Sequence, residues 1–133
     1  MNQFGCPNAK NPNSNAAGTG GPEGGSKFMS CDGTEYTRNA GGGIPDELTA
    51  KITNAPGTLS MANTGSPESG GSQFFINVAD NKFLDFFDPS TPSAHPVFGK
   101  ICEGYELVQK ISNVPTRNDN PSTPIEMISV RVE

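Results

Sequence analysis

The side chains of this chain that could do chemistry stand beside short apolar runs. Gln3 closes Met1-Asn2-Gln3, Asn63 and Thr64 follow Leu59-Ser60-Met61-Ala62, and Gln73 opens Gln73-Phe74-Phe75-Ile76. His95, the single histidine, precedes Pro96-Val97-Phe98-Gly99, and Phe83-Leu84-Asp85 lies just upstream. Carboxamides and one imidazole among aromatic and aliphatic residues can grip an apolar group and hydrogen-bond to the chain that carries it. Singly, each residue has a plainer reading: Phe75 and Leu84 as core, His95 as a loop residue, Gln3 and Asn63 as partners of backbone groups. Taken singly, none of them argues for a site.

Other chemistries fit poorly. Gly18-Thr19-Gly20-Gly21-Pro22-Glu23-Gly24-Gly25 suggests a phosphate loop, but no Gly-Lys-[Ser/Thr] follows and Glu23 would repel phosphate. A serine hydrolase would need a Gly-x-Ser-x-Gly elbow, which the chain lacks. One histidine and no close ligand pair argue against zinc or another metal, and nothing calls for a cofactor. Cys6, Cys31 and Cys102 form no CxxC pair and read as reduced thiols, with a Cys6–Cys31 disulfide as the alternative. The net charge of −5, with nine scattered Lys and Arg, excludes a basic nucleic-acid surface. No apolar stretch approaches the roughly 18 residues that span a bilayer, so the chain reads as soluble; it does not tell cytoplasm from an organelle lumen.

The elements that must position these residues are short. A length of 133 residues suits one domain, and 16 Gly and 12 Pro beside 32% hydrophobic residues indicate turns and strands rather than long helices. The patterning predicts strands over Leu59–Ala62, Phe74–Val78, Val97–Ile101 and Met127–Val132. It predicts one helix over Tyr105–Ile111, with Leu107, Val108 and Ile111 on its buried face and Pro115 preventing continuation. A minor turn is expected at Ile44–Leu48, and residues 8–43 read as one long surface excursion.

The ordered segments resemble the cyclophilin peptidyl-prolyl isomerases. Gly57-Thr58-Leu59-Ser60-Met61-Ala62-Asn63-Thr64-Gly65 and Gly70-Gly71-Ser72-Gln73-Phe74-Phe75-Ile76 match the family's core signature. Met1-Asn2-Gln3, Gly18-Thr19-Gly20-Gly21, Ile44-Pro45-Asp46-Glu47, Phe83-Leu84-Asp85 and His95-Pro96-Val97-Phe98-Gly99-Lys100 follow the same order. The resemblance implies a mainly β fold: an antiparallel β-barrel, here incomplete, with long loops and one helix in the C-terminal half. It implies that residues 1–133 form a single cyclophilin-like domain missing the first strands, the first helix and a Phe-His-Arg segment. Such a chain would expose strand edges and need a partner polypeptide, or its own upstream residues, to complete the sheet.

The implied activity is cis–trans isomerisation at X-Pro bonds, assisting folding or conformational switching. Twisting an amide costs it its resonance, a barrier of about 18–20 kcal/mol for an ordinary peptide bond, so the catalyst must favour the twisted form over both planar ones. By resemblance Gln3, Asn63 and His95 do the catalytic hydrogen bonding. Met1, Phe75 and Leu84 line the proline pocket with His95, Phe83 sits at its rim, and Ala62 and Thr64 present backbone. Gln73 supplies a hydrogen bond, and Gly18 permits close approach. The family's catalytic arginine belongs to the missing segment, and losing one preorganised donor costs about 10²–10³-fold in rate, so activity is conditional on that segment. Proline-containing peptides are the implied partners. Cyclosporin would bind weakly, because Phe83 lacks the indole N–H that many animal members present. The rival reading is a non-catalytic proline-peptide binder or a structural subunit of a larger assembly.

Overall fold

A computed structural model of the chain describes residues 1–12 and 14–131. In chain order its elements are β1 (Asn2–Phe4), a 3₁₀ turn (Pro7–Lys10), β2 (Lys27–Met29), β3 (Glu35–Thr37), β4 (Thr58–Met61), β5 (Phe74–Ile76), a second 3₁₀ turn (Lys82–Leu84), β6 (Val97–Lys100), α1 (Tyr105–Ser112), β7 (Thr116–Arg117) and β8 (Asn120–Pro121). The main sheet is antiparallel and runs β1-β5-β4-β6. Asn2, Gln3 and Phe4 pair with Ile76, Phe75 and Phe74, and Leu59, Ser60 and Met61 pair with the same three from the other side. The pairing of β4 with β6 shifts register between Leu59 and Ser60, which bends the sheet where Val97 meets Ser60. Among the described residues the sheet does not close into a barrel, and β1 and β6 are its edges.

Because strand side chains alternate, the two faces of this sheet differ in chemistry. Phe75 shares its face with Ser60, Val97 and Gln3, its register neighbours. Phe75, Leu84 and Val97 are the buried apolar core, together with the buried polar residues Asn54, Thr58, Ser60, Asn77 and Asp85. The opposite face carries Phe4 and Phe74, 6.0 Å apart, and Phe98, set edge-on to Phe74 at 6.2 Å.

Helix α1 starts after Gly104, whose φ of 76° lets the chain turn into it, and ends at Ser112, ahead of Pro115. Leu107 is exposed, contrary to expectation, while Tyr105, Val108 and Ile111 are half-buried. The apolar stripe thus follows the spacing i, i+3, i+6, which lies closer to the helical period than a pair of neighbours does. The helix is tied to β1 by Asn2: Nδ2 donates to the Val108 carbonyl at 2.9 Å, and the Ser112 hydroxyl donates to Asn2 Oδ1 at 2.7 Å.

Three further expectations need correction. Residues 127–131 form no strand, and Ile128 and Val130 point into solvent; β-branched residues alone do not make a strand when none lies alongside to bond with. Residue 132, the end of that predicted strand, lies outside the described residues. Ile44–Leu48 has no regular structure and makes no turn, although Asp46 does accept a backbone hydrogen bond, from Glu68 N at 2.8 Å. The excursion over residues 8–43 contains the β2–β3 hairpin, which stacks Phe28 on Tyr36 at 5.5 Å and sets Arg38 over the Phe28 ring at 4.6 Å. Its turn is closed by Asp32, which accepts from Thr34 N at 2.9 Å and from the Ser30 hydroxyl. Those bonds hold the Asp32 carboxyl below the usual carboxylate range, the Ser30 hydroxyl contributing most.

Candidate functional site

His95 is the hinge of the site. Its Nδ1 lies 2.9 Å from the Met61 carbonyl oxygen. A carbonyl can only accept, so Nδ1 carries the proton and Nε2 of the neutral ring is left as an acceptor. The His95 backbone N–H donates to the Leu84 carbonyl at 3.1 Å, and its ring meets Phe75 edge-on with centroids 5.6 Å apart. Three residues distant in sequence, Phe75, Leu84 and His95, are thereby brought to one place. Phe75 is only 2% exposed, and Leu84 is likewise buried, next in the chain to the exposed Phe83.

The carboxamides form a second group. Gln3, opposite Phe75 across β1 and β5, donates from Nε2 to Gln73 Oε1 at 2.8 Å. Gln73 Nε2 in turn donates to the carbonyls of Gly18 and Gly20 at 3.0 and 2.7 Å, which moors the glycine-rich loop to the start of β5. Gly18 has φ of 86° and open space where a Cβ would stand, so its requirement for glycine is conformational rather than steric. The Ala62 N–H donates to the Gln73 carbonyl at 3.1 Å, extending the β4–β5 ladder by one bond. Asn63 reaches past it: Nδ2 donates to the Ala94 carbonyl at 2.6 Å, next to His95, and Oδ1 accepts from Gly65 N at 3.0 Å. The Thr64 N–H is capped by Ser69 Oγ at 3.1 Å, and Met1 is exposed at the start of β1.

The structure thus joins Phe75, Leu84 and His95, links Gln3 to Gln73 and Gly18, and brings Asn63 next to His95. Of two surface concavities, one reaches the edge of that group at Asn63 and Met61, and neither is lined by Phe75, Leu84 or His95. One of about 220 Å³ is lined by Ile44, Met61, Asn63, Pro96 and Phe98 among others, and one of about 430 Å³ lies around Cys6, Pro7 and Pro22. Sequence reasoning missed the buried polar residues Asn54, Ser60, Asn77 and Asp85. A signal for one of them was present: Asn77 stands two residues beyond Phe75 and so on the same face of the strand direction.

Beside the glycine-rich loop, Cys6 Sγ accepts from Gly18 N at 3.2 Å and Gly20 N at 3.3 Å. Burial pushes this thiol up, but the backbone N–H groups of Gly20, Asn8, Gly18 and Ala9 together outweigh it and hold the thiol below its ordinary value. Because the folded value is the lower one, this group's contribution to stability is present above the unfolded thiol pKa and is lost as pH falls through the folded pKa. Alkylation of Cys6 by iodoacetamide is accordingly expected to reach half its maximal rate at lower pH than a free cysteine peptide; mapping the modified residue by mass spectrometry across pH checks this. An equal or higher midpoint would contradict the N–H cradle. Cys6, Cys31 and Cys102 are all free thiols.

The arrangement is that of a β domain: an antiparallel sheet with a buried aromatic ring, an imidazole packed edge-on against it and bonded carboxamides beside it, chemistry that can accept an apolar ring and hydrogen bonds from an extended chain. Comparison with known proteins gives the class its family. The profile described as "Cyclophilin type peptidyl-prolyl cis-trans isomerase/CLD" matches residues 3–132, and the chain belongs to this family. It is 43% identical over 95 residues to a peptidyl-prolyl cis-trans isomerase of Acinetobacter baylyi, covering 68% of this chain and 50% of that protein. It is 40% identical over 105 residues to peptidyl-prolyl cis-trans isomerase 11 of Caenorhabditis elegans, covering 78% and 53%. The chain thus spans about half the length of these relatives. A crystal structure of a cyclophilin-type isomerase of Cryptosporidium parvum, determined in the presence of the dipeptide Ala-Pro, superposes with a TM-score of 0.56 at 24% identity, over 90% of this chain and 58% of that one. Among the described residues no helix is long and apolar enough to cross a membrane.

Proposed function

We propose that this chain carries the substrate pocket of a peptidyl-prolyl cis-trans isomerase, acting on X-Pro bonds in peptides or proteins. The observation that supports it best is the convergence of Phe75, Leu84 and His95, beside the Gln3–Gln73 pair. Phe75 and Leu84 give a proline ring an apolar floor, with Met1 and Phe83 at the margin. Ala62 and Thr64 offer backbone to an extended peptide, and Asn63 and Gln73 hold the segments that carry them. His95, with its Nδ1–H committed to Met61, presents Nε2 as an acceptor to an N–H of the bound peptide, and Gln3 a carboxamide that can meet a carbonyl or an N–H. No covalent step is required, only preference for the twisted amide.

Activity in this reading is conditional on a positive donor. Arg38, the arginine nearest the glycine-rich loop in sequence, is engaged with Phe28 and the Gly42 carbonyl, the latter at 3.4 Å. By the resemblance that donor belongs to a Phe-His-Arg segment, a motif that these 133 residues do not contain. A protease-coupled assay on a short X-Pro peptide tests this with that segment present. Acceleration of the cis-to-trans phase, with weak inhibition by cyclosporin, is the expected result. Binding of the peptide without acceleration would favour a non-catalytic proline-peptide module, and neither binding nor acceleration would overturn the reading.

A further inference from the structure

A buried polar cluster lies behind the pocket residues and has no role in the chemistry above. At its centre Asn54, 0% exposed, bonds in every direction its atoms allow. Its backbone N–H and its Nδ2 both donate to Asp85 Oδ1 at 2.8 Å, and Nδ2 also donates to the His95 carbonyl at 3.1 Å. Its Oδ1 accepts from Ser60 Oγ at 2.6 Å and from Asn77 Nδ2 at 3.2 Å, and its carbonyl accepts from Asn81 N at 3.0 Å. Ser60 and Asn77 are also 0% exposed, and no buried side-chain nitrogen or oxygen among the described residues lacks a partner.

Each partner of the Asn54 side chain belongs to, or lies beside, a residue of the proposed pocket. Asp85 follows Leu84, Ser60 is the register partner of Phe75 on β4, Asn77 continues the Phe75 strand, and His95 is bonded directly. We infer that Asn54 is a positioning residue which sets the distances between Leu84, Phe75 and His95, and with them the width of the proline pocket. The inference rests on reading those three residues as that pocket. Its physical basis is that a buried carboxamide with four partners tolerates one arrangement: any shift of the Leu84 loop or the His95 segment leaves an N–H or a carboxylate oxygen unpaired away from water. Hydrophobic contacts among three side chains would not specify spacing so narrowly.

A merely stabilising cluster would behave differently under mutation. Loss of stability lowers the folded fraction, so kcat falls and KM stays. A pocket of altered width grips the proline ring less well in both ground and transition states, so KM rises. The experiment is a determination, again with the Phe-His-Arg segment present, of kcat and KM on a short Ala-Pro peptide for the unmutated chain and for Asn54→Ala, Asp85→Ala and Asp85→Asn. Asn54→Ala is expected to raise KM about 10–100-fold, the loss of hydrogen bonds to a charged group and of near-ångström placement. Asp85→Ala, which keeps Asn54 but removes its acceptor, moves KM the same way and serves if Asn54→Ala does not fold. Asp85→Asn keeps an acceptor oxygen for both N–H donors and leaves KM near the unmutated value. Unchanged KM in the alanine variants, with kcat reduced in step with the folded fraction, would overturn the positioning role and leave the isomerase reading intact. An unmutated chain that neither isomerises nor binds the peptide would sink both.

Discussion

Phe75→Ala is expected to lower the folding stability of the domain by about 3–5 kcal/mol, the range for truncating a buried Phe. The ring is 2% exposed, and among the described residues only Leu84 and Val97 are apolar and comparably buried. A core so small has little with which to close over the space the ring leaves, and Ser60, the register neighbour of Phe75, is held in place by bonds to Asn54 and Asn77. The upper half of the range is therefore the better expectation. Against a total stability of about 5–15 kcal/mol for a typical domain, such a loss is a large fraction. Urea unfolding of the full chain reads it as a fall in the midpoint at unchanged slope. Phe98→Ala is the control: that ring is 54% exposed on the other face of the sheet, and its removal should cost well under half as much. Equal losses from the two variants would mean that the core does not centre on Phe75. The ring is also what His95 packs against edge-on, so the variant is expected to lose peptide binding even under conditions in which it folds.

How far the sequence carried the reading depended on the kind of signal. Strands Thr58–Met61, Phe74–Ile76 and Val97–Lys100 and the helix Tyr105–Ser112 were legible to within a residue or two, because their apolar runs are bounded by Gly, Pro or Asn. The hairpin of Lys27–Met29 and Glu35–Thr37 was not, since its only aromatic pair, Phe28 and Tyr36, is flanked by polar residues and shows no period over strands three residues long. Met127–Val132 failed for the opposite reason: its propensity is strong, but pairing is a non-local event that no window of sequence records, and Ile128 is 93% exposed. The site residues Phe75, Leu84 and His95 could be named only through family order, because nothing local says that residues separated by a turn and a loop will meet. Asn54, Asn77 and Asp85 were hidden more deeply. Hydropathy assigns such residues to the surface, and their burial depends on partners drawn from four separate segments.

Gly5→Ala isolates what one glycine contributes to the alignment of the carboxamide row. Gly5 follows β1 with φ of 86°, and a Cβ built there would lie 2.1 Å from the Ser72 carbonyl oxygen and 3.1 Å from Gln73 Cα. Those atoms are backbone, so no rotamer change relieves the clash; the end of β1 and the entry to β5 must separate. Ser72 Oγ also donates to the Gly5 carbonyl at 2.7 Å, a staple that the same separation breaks. Two costs therefore add: about 1–2 kcal/mol for a side chain in the left-handed region, and a further ~1–3 kcal/mol for forcing atoms into filled space. Gly33→Ala separates them, because Gly33 has φ of 85° in the β2–β3 turn with nothing within 4 Å of its Cβ position and so incurs the conformational cost alone. Urea unfolding of the two variants should rank Gly5→Ala as the more destabilising by the second amount. In ¹⁵N spectra, the side-chain amides of Gln3 and Gln73, bonded at 2.8 Å, should shift in Gly5→Ala and not in Gly33→Ala. Matching losses and undisturbed glutamine signals would mean that β1 yields at no cost to its neighbour, and that the Gln3–Gln73 contact is not held by the close approach of these two backbones.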